Sequence, residues 1–217
     1  MKNVYIFDLD GTLLNTLKAL DICVNNTLKR LDLKKLEAEI IKKHIGNGAR
    51  YLIENCVKSV CENPNKDILD SAFKIYKEEF SIHCLDEVEP YPDIVEVLVS
   101  LKKAGKVLAI LTNKPQVQAV ETVEHYFDKD LFDLIQGQSD DRPRKPDPIS
   151  LELVIESLQV QKQDCAFVGD SEVDVKTGVG CGVFTYGVDW GFRTREELLV
   201  EKPNVIISKA KDLLVIE

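Results

Sequence analysis

The strongest constraint on the fold is an alternation of short, β-rich apolar runs with helical patterns, which continues from about residue 85 to the end of the chain. Runs such as KVLAILTN and DCAFVGDS are typical of buried strands, and stretches such as YPDIVEVLVSLKKAG are typical of helices. Strands that alternate with helices pair in parallel, and the helices cover both faces of the sheet. We therefore predict an α/β protein with a Rossmann-like parallel sheet.

The first strand is separated from the rest of this pattern. VYIF, residues 4–7, predicts a buried strand, whereas residues ~17 to ~84 show the apolar spacing of several helices and no convincing strand. Because the strand pattern resumes after this block, the block is an insertion that follows the first strand. We predict a core domain made of residues 1–14 and 85–217, and a helical domain made of residues 15–84.

Composition and charge narrow the classes of partner. The net charge of −9 disfavours nucleic acid and anionic membrane surfaces as partners, since both attract basic faces. No apolar run approaches the ~18 residues of a membrane span, and the N-terminal MKNVYIFDLD lacks the longer apolar region of a signal peptide. The six cysteines show no CxxC spacing. We predict a cytoplasmic protein whose cysteines are reduced.

Polar side chains follow several of the predicted strands at the point where each strand ends. Ligands of parallel α/β sheets bind outside the carboxyl ends of the strands, so we expect these side chains to converge. A further candidate, a lysine, lies in the proline-rich loop RPRKPDP. The candidate residues are Asp8, Asp10, Thr112, Asn113, Lys145, Asp170 and Asp174.

The residue types indicate phosphate chemistry. Gathered carboxylates suit a hard cation such as Mg²⁺, which also offsets the repulsion between neighbouring acids. Asp8 and Asp10 are about 6.6 Å apart along an extended chain, so one could attack phosphorus while the other reaches the leaving oxygen. Lys145 would place a fixed positive charge on the phosphoryl oxygens, and the Thr112 hydroxyl could hold another of them. Phosphoryl transfer needs mainly positioning and charge stabilisation, which these groups supply.

The ordered motifs DLDGT, LTN, KPDP and GDSEVD resemble those of the haloacid dehalogenase superfamily of phosphatases. The helical insertion after the first motif looks like the cap domain of that superfamily. The longer stretches VGDSEVDVKTG and WGFRTREEL look like its phosphoglycolate phosphatase branch. The resemblance implies a Mg²⁺-dependent hydrolase of a small phosphorylated metabolite, with phosphoglycolate as the leading substrate. The sequence leaves open whether the protein is a monomer or a homodimer.

The resemblance also implies roles for the candidates in the core domain. Asp8 matches the nucleophile, which forms an aspartyl-phosphate and is also a metal ligand. Asp10 matches the general acid and base, and its backbone carbonyl matches a Mg²⁺ ligand. Thr112 matches the hydroxyl that binds phosphate, with Asn113 beside it. Lys145 matches the lysine that steadies the nucleophile and the phosphate.

The remaining candidates match the metal site and the cap. Asp170 matches the main metal-binding acid of the fourth motif, and Asp174 its partner, which binds either the metal itself or the groups around it. In the insertion, HIGNGARYL places Arg50 after two glycines. We expect the cap to close over the site and Arg50 to meet a second anionic group of the substrate, although an exposed arginine at a helix start has the same pattern.

Other interpretations remain open at this point. Thr112 and Asn113 could simply begin the following helix, a role compatible with phosphate binding there. A sugar phosphomutase or an inorganic pyrophosphatase could use the same core. From other classes, a receiver domain that accepts phosphate on an aspartate shares the acids, threonine and lysine, but lacks a long insertion after the first strand. A non-catalytic binding relative is the last alternative.

Overall fold

The computed structural model describes residues 2–215 and divides the chain into two compact units. Unit 1 comprises Met1–Asn15 and Pro90–Glu217, and unit 2 comprises Thr16–Glu89. Two short strands, β2 (Leu14–Asn15) and β3 (Glu89–Pro90), lie where the chain passes from one unit to the other. In the sequence, the first crossing follows the first strand of the sheet, and the second crossing precedes the first helix of the later α/β pattern.

Unit 1 is built on a sheet of six parallel strands in the order β5-β4-β1-β6-β7-β8. Its strands are β1 (Val4–Phe7), β4 (Val107–Pro115), β5 (Leu134–Gln138), β6 (Cys165–Gly169), β7 (Phe184–Val188) and β8 (Val205–Ile207). The central strand β1 is buried along its whole length, as expected for a parallel strand that is covered on both faces. The predicted α/β fold with a parallel sheet is therefore confirmed.

Helices follow most of these strands and cover the sheet. They are α5 (Ile94–Lys103), α6 (Gln116–Tyr126), α7 (Ile149–Ser157), α8 (Glu172–Cys181) and α9 (Arg195–Val200). Near the C-terminus the apolar pattern KAKDLLVIE predicts a helix, whereas the structure forms a short 3₁₀ segment, Ala210–Leu214. One part of the core packs α7 against the sheet through fully buried residues such as Ile6, Leu151 and Phe167.

The register of the sheet aligns the ends of its three central strands. Phe7, the last residue of β1, is opposite Ile110 of β4 and Val168 of β6. The residues that follow these positions therefore emerge side by side at the carboxyl edge. The pairing of β4 with β5 changes register between Leu111 and Pro115, which marks an irregularity in β4 at this same edge.

Unit 2 consists of four helices: α1 (Leu17–Arg30), α2 (Ala38–Lys42), α3 (Ala49–Val60) and α4 (Lys66–His83). In α1, Leu20, Val24 and Leu28 are buried at the helical spacing that the sequence shows. Helix α4 begins at the side chain of Asn65, which accepts a hydrogen bond from the Ile68 N–H at 2.9 Å. None of the helices among residues 2–215 is both long and apolar enough to cross a bilayer.

A buried acid joins α1 to α4 inside unit 2. Glu79 accepts hydrogen bonds from Arg30 Nη1 at 2.9 Å and from Asn26 Nδ2 at 3.0 Å. Burial by itself raises the pKa of Glu79, but the hydrogen bonds from Arg30 and Asn26 outweigh it, so that the pKa lies below its ordinary value. The carboxylate is thus charged and well paired at neutral pH.

Candidate active site

The turn after β1 directs two aspartates to the carboxyl edge of the sheet. The Asp8 N–H continues the ladder by donating to Val168 O at 2.9 Å. The chain then turns back, and the Gly11 N–H donates to Leu14 O at 2.8 Å. Gly11 has a φ of +91°, a conformation that favours glycine, and an added Cβ would collide with the Asp170 carboxylate and the Phe192 ring. The glycine therefore permits the turn to lie against Asp170.

The end of β4 carries Thr112, Asn113 and Lys114, all of them buried. The Thr112 hydroxyl accepts a hydrogen bond from the Lys114 N–H at 3.2 Å. The Asn113 side chain holds the backbone of Lys145, since its Nδ2 donates to Lys145 O at 2.9 Å and its Oδ1 accepts from Lys145 N at 3.0 Å. The end of β4 thus fixes the loop that delivers the candidate lysine.

The end of β6 leads into α8 through Asp170 and Ser171. The Ser171 hydroxyl donates to Asp174 Oδ2 at 2.6 Å, and the backbone N–H groups of Ser171 and Asp174 complete a capping box with the two side chains. A side chain at Gly169 would collide with Asp174. The start of α8 therefore holds Asp174 against the end of β6, close to Asp170.

Lys145 lies among these acids. Its ammonium forms ion pairs with Asp174 Oδ1 at 2.6 Å and with Asp8 Oδ1 at 2.8 Å, and only 1% of its side chain is exposed. Burial lowers the pKa of Lys145, but the charges of Asp174 and Asp8 outweigh this effect and raise the pKa above its ordinary value. Lys145 is therefore a permanent cation between two carboxylates.

The pKa values of Asp8 and Asp170 lie above the ordinary value of an exposed carboxyl group. Burial raises the pKa of Asp8 to about 7, against the lowering effect of Lys145. Burial, followed by the charges of Asp174 and Asp8, raises the pKa of Asp170 well above its ordinary value. One lysine does not offset three buried carboxyl groups, so the cluster favours a further positive charge.

Asp8, Asp170 and Asp174 can each direct one carboxylate oxygen to a common point, with these oxygens within 4.8 Å of one another. Asp170 is held rigidly, because it accepts hydrogen bonds from the Thr12 hydroxyl at 3.1 Å and from the Phe192 N–H at 2.7 Å. A buried group of oxygen ligands whose negative charge is not fully offset suits a hard divalent cation. The residues present therefore fit a divalent metal ion.

Asp10 has a different environment from Asp8. Its Oδ1 accepts a hydrogen bond from Lys114 Nζ at 3.0 Å, and its side chain is 15% exposed. Its carboxylate is not part of the three-carboxylate group. The predicted metal contact through the backbone carbonyl of Asp10 stays a prediction.

Arg50 lies in the first turn of α3 in unit 2. Its guanidinium forms ion pairs with Glu54, at 2.7 Å, and with Asp70, and it lies 5.1 Å from the centre of the Phe73 ring. Nearly half of the side chain is exposed. The predicted contact with a second anionic group of the substrate stays a prediction.

Sequence reasoning missed Lys114 and Thr12, which support these side chains, and predicted for Phe192 only that it packs in a loop near the rim of the site. Lys114 follows the predicted Thr112 and Asn113 directly, and its place one residue further along the same strand end was the signal that could have revealed it. Thr12 and Phe192 support Asp170. The loop around Phe192 is attached to the turn after β1 by Trp190, whose Nε1 donates to Thr12 O at 3.0 Å. Nothing in a pattern of residue types indicates a backbone N–H as the partner of a carboxylate.

Parallel α/β sheets bind ligands at this edge, and a lysine among carboxylates is suited to phosphate and its counter-ion. The fold and the site thus define an α/β enzyme that handles phosphate. The family model described as haloacid dehalogenase-like hydrolase matches residues 5–188. The chain belongs to this family.

Similar proteins support the same assignment. The chain is 31% identical to the phosphoglycolate phosphatase of Colwellia psychrerythraea, over 99% of this chain and 96% of that protein. It is also 31% identical to phosphoglycolate phosphatase 1 of Pseudomonas aeruginosa, over 99% of this chain and 79% of that protein. The crystal structure of a predicted phosphoglycolate phosphatase from Haemophilus somnus has a TM-score of 0.93 and 26% identity, and the match covers 99% of this chain and 97% of that one. The predicted family and the predicted class of enzyme, a phosphatase, are confirmed.

Proposed function

We propose that this chain is a Mg²⁺-dependent phosphatase that hydrolyses phosphoglycolate, or a close relative of it, through an aspartyl-phosphate on Asp8. The observation that carries the proposal is the pairing of Asp8 with the buried cation Lys145 inside a group of three carboxylates. A carboxylate held by a fixed cation beside a divalent-ion site is suited to in-line attack on a phosphate monoester. The names of the relatives support the choice of substrate.

The proposed reaction has two steps, and Asp8 and Asp10, in the turn after β1, take part in both. In the first step, an Asp8 oxygen forms a bond to phosphorus while the ester P–O bond breaks and Asp10 donates a proton to the leaving alkoxide. In the second step, Asp10 takes a proton from water, which attacks phosphorus and releases inorganic phosphate from Asp8. Splitting the reaction in this way replaces one difficult displacement by two easier ones.

Other side chains hold the phosphoryl group during both steps. Lys145 places its charge on the phosphoryl oxygens and orients Asp8. The Thr112 hydroxyl and the start of α6, near Asn113, are proposed to bind a further oxygen. A magnesium ion bound by Asp8, the Asp10 carbonyl and Asp170, with Asp174 as a ligand or beside one, would neutralise charge on the phosphoryl oxygens.

We also propose that the helical domain serves as the cap that selects the leaving group, as the family resemblance implies. Arg50 would bind the carboxylate of the substrate, for which its planar guanidinium is suited. Arg50→Met should raise the KM for phosphoglycolate at least ~10-fold, while the KM for an alkyl phosphate whose alkyl group carries no charge stays within ~2-fold. An equal change in KM for both esters would show that Arg50 does not recognise the carboxylate of the substrate.

The proposed function is tested with a panel of phosphate esters, with and without Mg²⁺. We expect release of inorganic phosphate that is fastest from phosphoglycolate and lost in chelator. A phosphomutase would instead interconvert sugar phosphate isomers without net phosphate release. Turnover in chelator equal to that with Mg²⁺ would contradict the metal requirement.

The nucleophile is tested with two variants of the same chain. Asp8→Asn should abolish both turnover and covalent labelling by a phosphate ester, with unchanged circular dichroism. Asp133→Asn changes an acid of the same unit that pairs with Lys102 at 2.7 Å, outside the site, and should keep activity. Retained labelling of Asp8→Asn would show that another residue accepts the phosphoryl group.

A further inference from the structure

The turn after β1 places two acids close together, and each acid has its own buried lysine. Lys145 pairs with Asp8, at 2.8 Å, as described above. Lys114 pairs with Asp10, at 3.0 Å. Lys145 is part of the proposed phosphate site, whereas Lys114 is not a member of that site.

The Lys114–Asp10 pair is asymmetric in its exposure. The Lys114 side chain is 2% exposed, whereas the Asp10 side chain is 15% exposed. The ammonium is thus enclosed by protein, while the carboxylate keeps access to solvent. The contact with Lys114 uses Asp10 Oδ1, which leaves Oδ2 to exchange a proton with a leaving group or with water. A lysine enclosed in this way is costly without a partner, so the pair holds the carboxylate in one orientation.

The backbone of β4 explains why Lys114 reaches Asp10. Successive side chains of a strand point in opposite directions. Asn113 is directed to the Lys145 backbone, and Lys114 to Asp10. Just beyond this point, the side chain of Gln116 fixes the chain to β5. Its Nε2 donates a hydrogen bond to Ile135 O at 3.1 Å, and its Oε1 accepts one from Gly137 N at 2.7 Å.

Close packing of β5 holds this segment further. A side chain at Gly137 would collide with the backbone of Gln116 and with Lys114 O. The position of the Lys114 ammonium is therefore set by the sheet and not by a mobile loop. Such rigidity is required of a group that orients an acid–base residue, since small displacements of a reacting group cost large factors in rate.

We infer that Lys114 is a positioning residue for proton transfer: it holds Oδ1 of the Asp10 carboxyl group so that a proton carried on Oδ2 passes to the leaving oxygen, which leaves Asp10 as a carboxylate paired with Lys114. This inference rests on the proposed function, because it assumes that Asp10 acts as the general acid. Lys114 itself touches neither the substrate nor the metal in this scheme. Its effect is therefore confined to steps in which Asp10 gives or takes a proton.

The dependence of the rate on the leaving group provides the test. An alkyl phosphate such as phosphoglycolate needs a proton on its leaving oxygen, whereas 4-nitrophenyl phosphate releases a stable anion without one. The parameter kcat/KM reports the steps up to the first release of alcohol, so it excludes the later attack of water. Lys114→Met should lower kcat/KM for the alkyl ester at least ~10-fold more than for the aryl ester.

Two further variants separate positioning from general damage. Lys114→Arg keeps a cation beside Asp10 and should restore part of the lost preference for the alkyl ester. In an Asp10→Asn background, Lys114→Met should change kcat/KM for the alkyl ester by less than ~2-fold, because the residue through which it acts is already disabled. Lys102→Met, which removes an ion pair to Asp133 elsewhere in the same unit, is the matched control and should leave both rates unchanged.

The outcomes distinguish this inference from the proposed function. If the wild-type chain hydrolyses no phosphate ester, the proposed function fails and the inference fails with it. If the wild type is active but Lys114→Met lowers kcat/KM equally for both esters, or acts fully in the Asp10→Asn background, the inference alone is wrong. Should Lys114→Met not fold, Lys114→Gln, which keeps a polar group at this position, gives the same comparison.

Discussion

Replacing Asn113 by alanine should uncouple the end of β4 from the loop that carries Lys145. The asparagine makes two buried hydrogen bonds to the backbone of Lys145, at 2.9 Å and 3.0 Å. Each buried backbone group that loses its only side-chain partner costs about 1–3 kcal/mol. With some recovery by water that enters the space of the lost amide, we expect a loss of about 2–4 kcal/mol in the free energy of unfolding.

The same change should lower activity beyond its effect on stability. The Lys145 backbone would no longer be fixed, so the ammonium would lose its position between Asp8 and Asp174. Displacement of a charged group by about 1 Å can cost ~10²-fold in rate, and we expect kcat to fall by at least ~10-fold. Urea unfolding measures the first effect, and release of phosphate at saturating substrate measures the second.

A matched control lies in unit 2. Asn25 forms the same pair of bonds to a backbone residue, since its Nδ2 donates to Leu36 O at 3.1 Å and its Oδ1 accepts from Leu36 N at 2.9 Å. Because this pair is only partly buried, Asn25→Ala should cost about 1–2 kcal/mol and leave kcat unchanged. A loss below about 1 kcal/mol in Asn113→Ala, together with a wild-type kcat, would refute the reasoning.

Two further predictions concern the metal site and the helical unit. Gly11→Ala and Gly105→Ala both place alanine at a positive φ, of +91° and +75°, which costs each of them about 1–2 kcal/mol of stability, and Gly11→Ala should lose more because its Cβ also meets the Asp170 carboxylate and the Phe192 ring. Only the first pushes a Cβ into the Asp170 carboxylate, so only it should raise the Mg²⁺ concentration for half-maximal activity at least ~10-fold; equal Mg²⁺ requirements would contradict the assignment of Asp170. In unit 2, Glu79→Gln should cost about 1 kcal/mol at pH 7, because it removes one of the two carboxylates that pair with Arg30, the other being Glu78. Since the pKa of Glu79 is lowered by folding, its contribution is present above the unfolded value of about 4.3 and is lost as the pH falls through the folded value. The difference in unfolding free energy between wild type and Glu79→Gln should therefore shrink below about pH 4.3, and a difference that stays constant with pH would exclude this pair as its source.

Local patterns were sufficient for the fold because they depend on neighbouring residues alone. The all-apolar strand VYIF and the alternation after residue 85 predicted the buried parallel strands of unit 1. The weakest point was the C-terminal segment, where an apolar helical pattern forms only the 3₁₀ segment Ala210–Leu214. So short a segment gains little from helical hydrogen bonds, so its local packing decides its form.

The candidate site was predictable only as a list of residues. The position of Asp8 after a strand and of Lys145 between prolines predicted that they lie at one edge, and the structure brings them within 2.8 Å of each other. The sequence did not indicate which lysine meets which acid. Lys114 directly follows the LTN motif, and its partner Asp10 lies 104 positions away in the chain.

By itself, the amino-acid sequence determined the parallel α/β core, the helical insertion and the family to which the chain belongs, because these follow from apolar periodicity and from the spacing of short motifs. Only the tertiary structure decided how the charges are shared: Lys145 with Asp8 and Asp174, Lys114 with Asp10, and the Phe192 N–H with Asp170. The physical reason is that the strength and partner of a buried charge depend on distances of about 3 Å and on exclusion of water. Both are set when strands far apart in the chain align in one sheet.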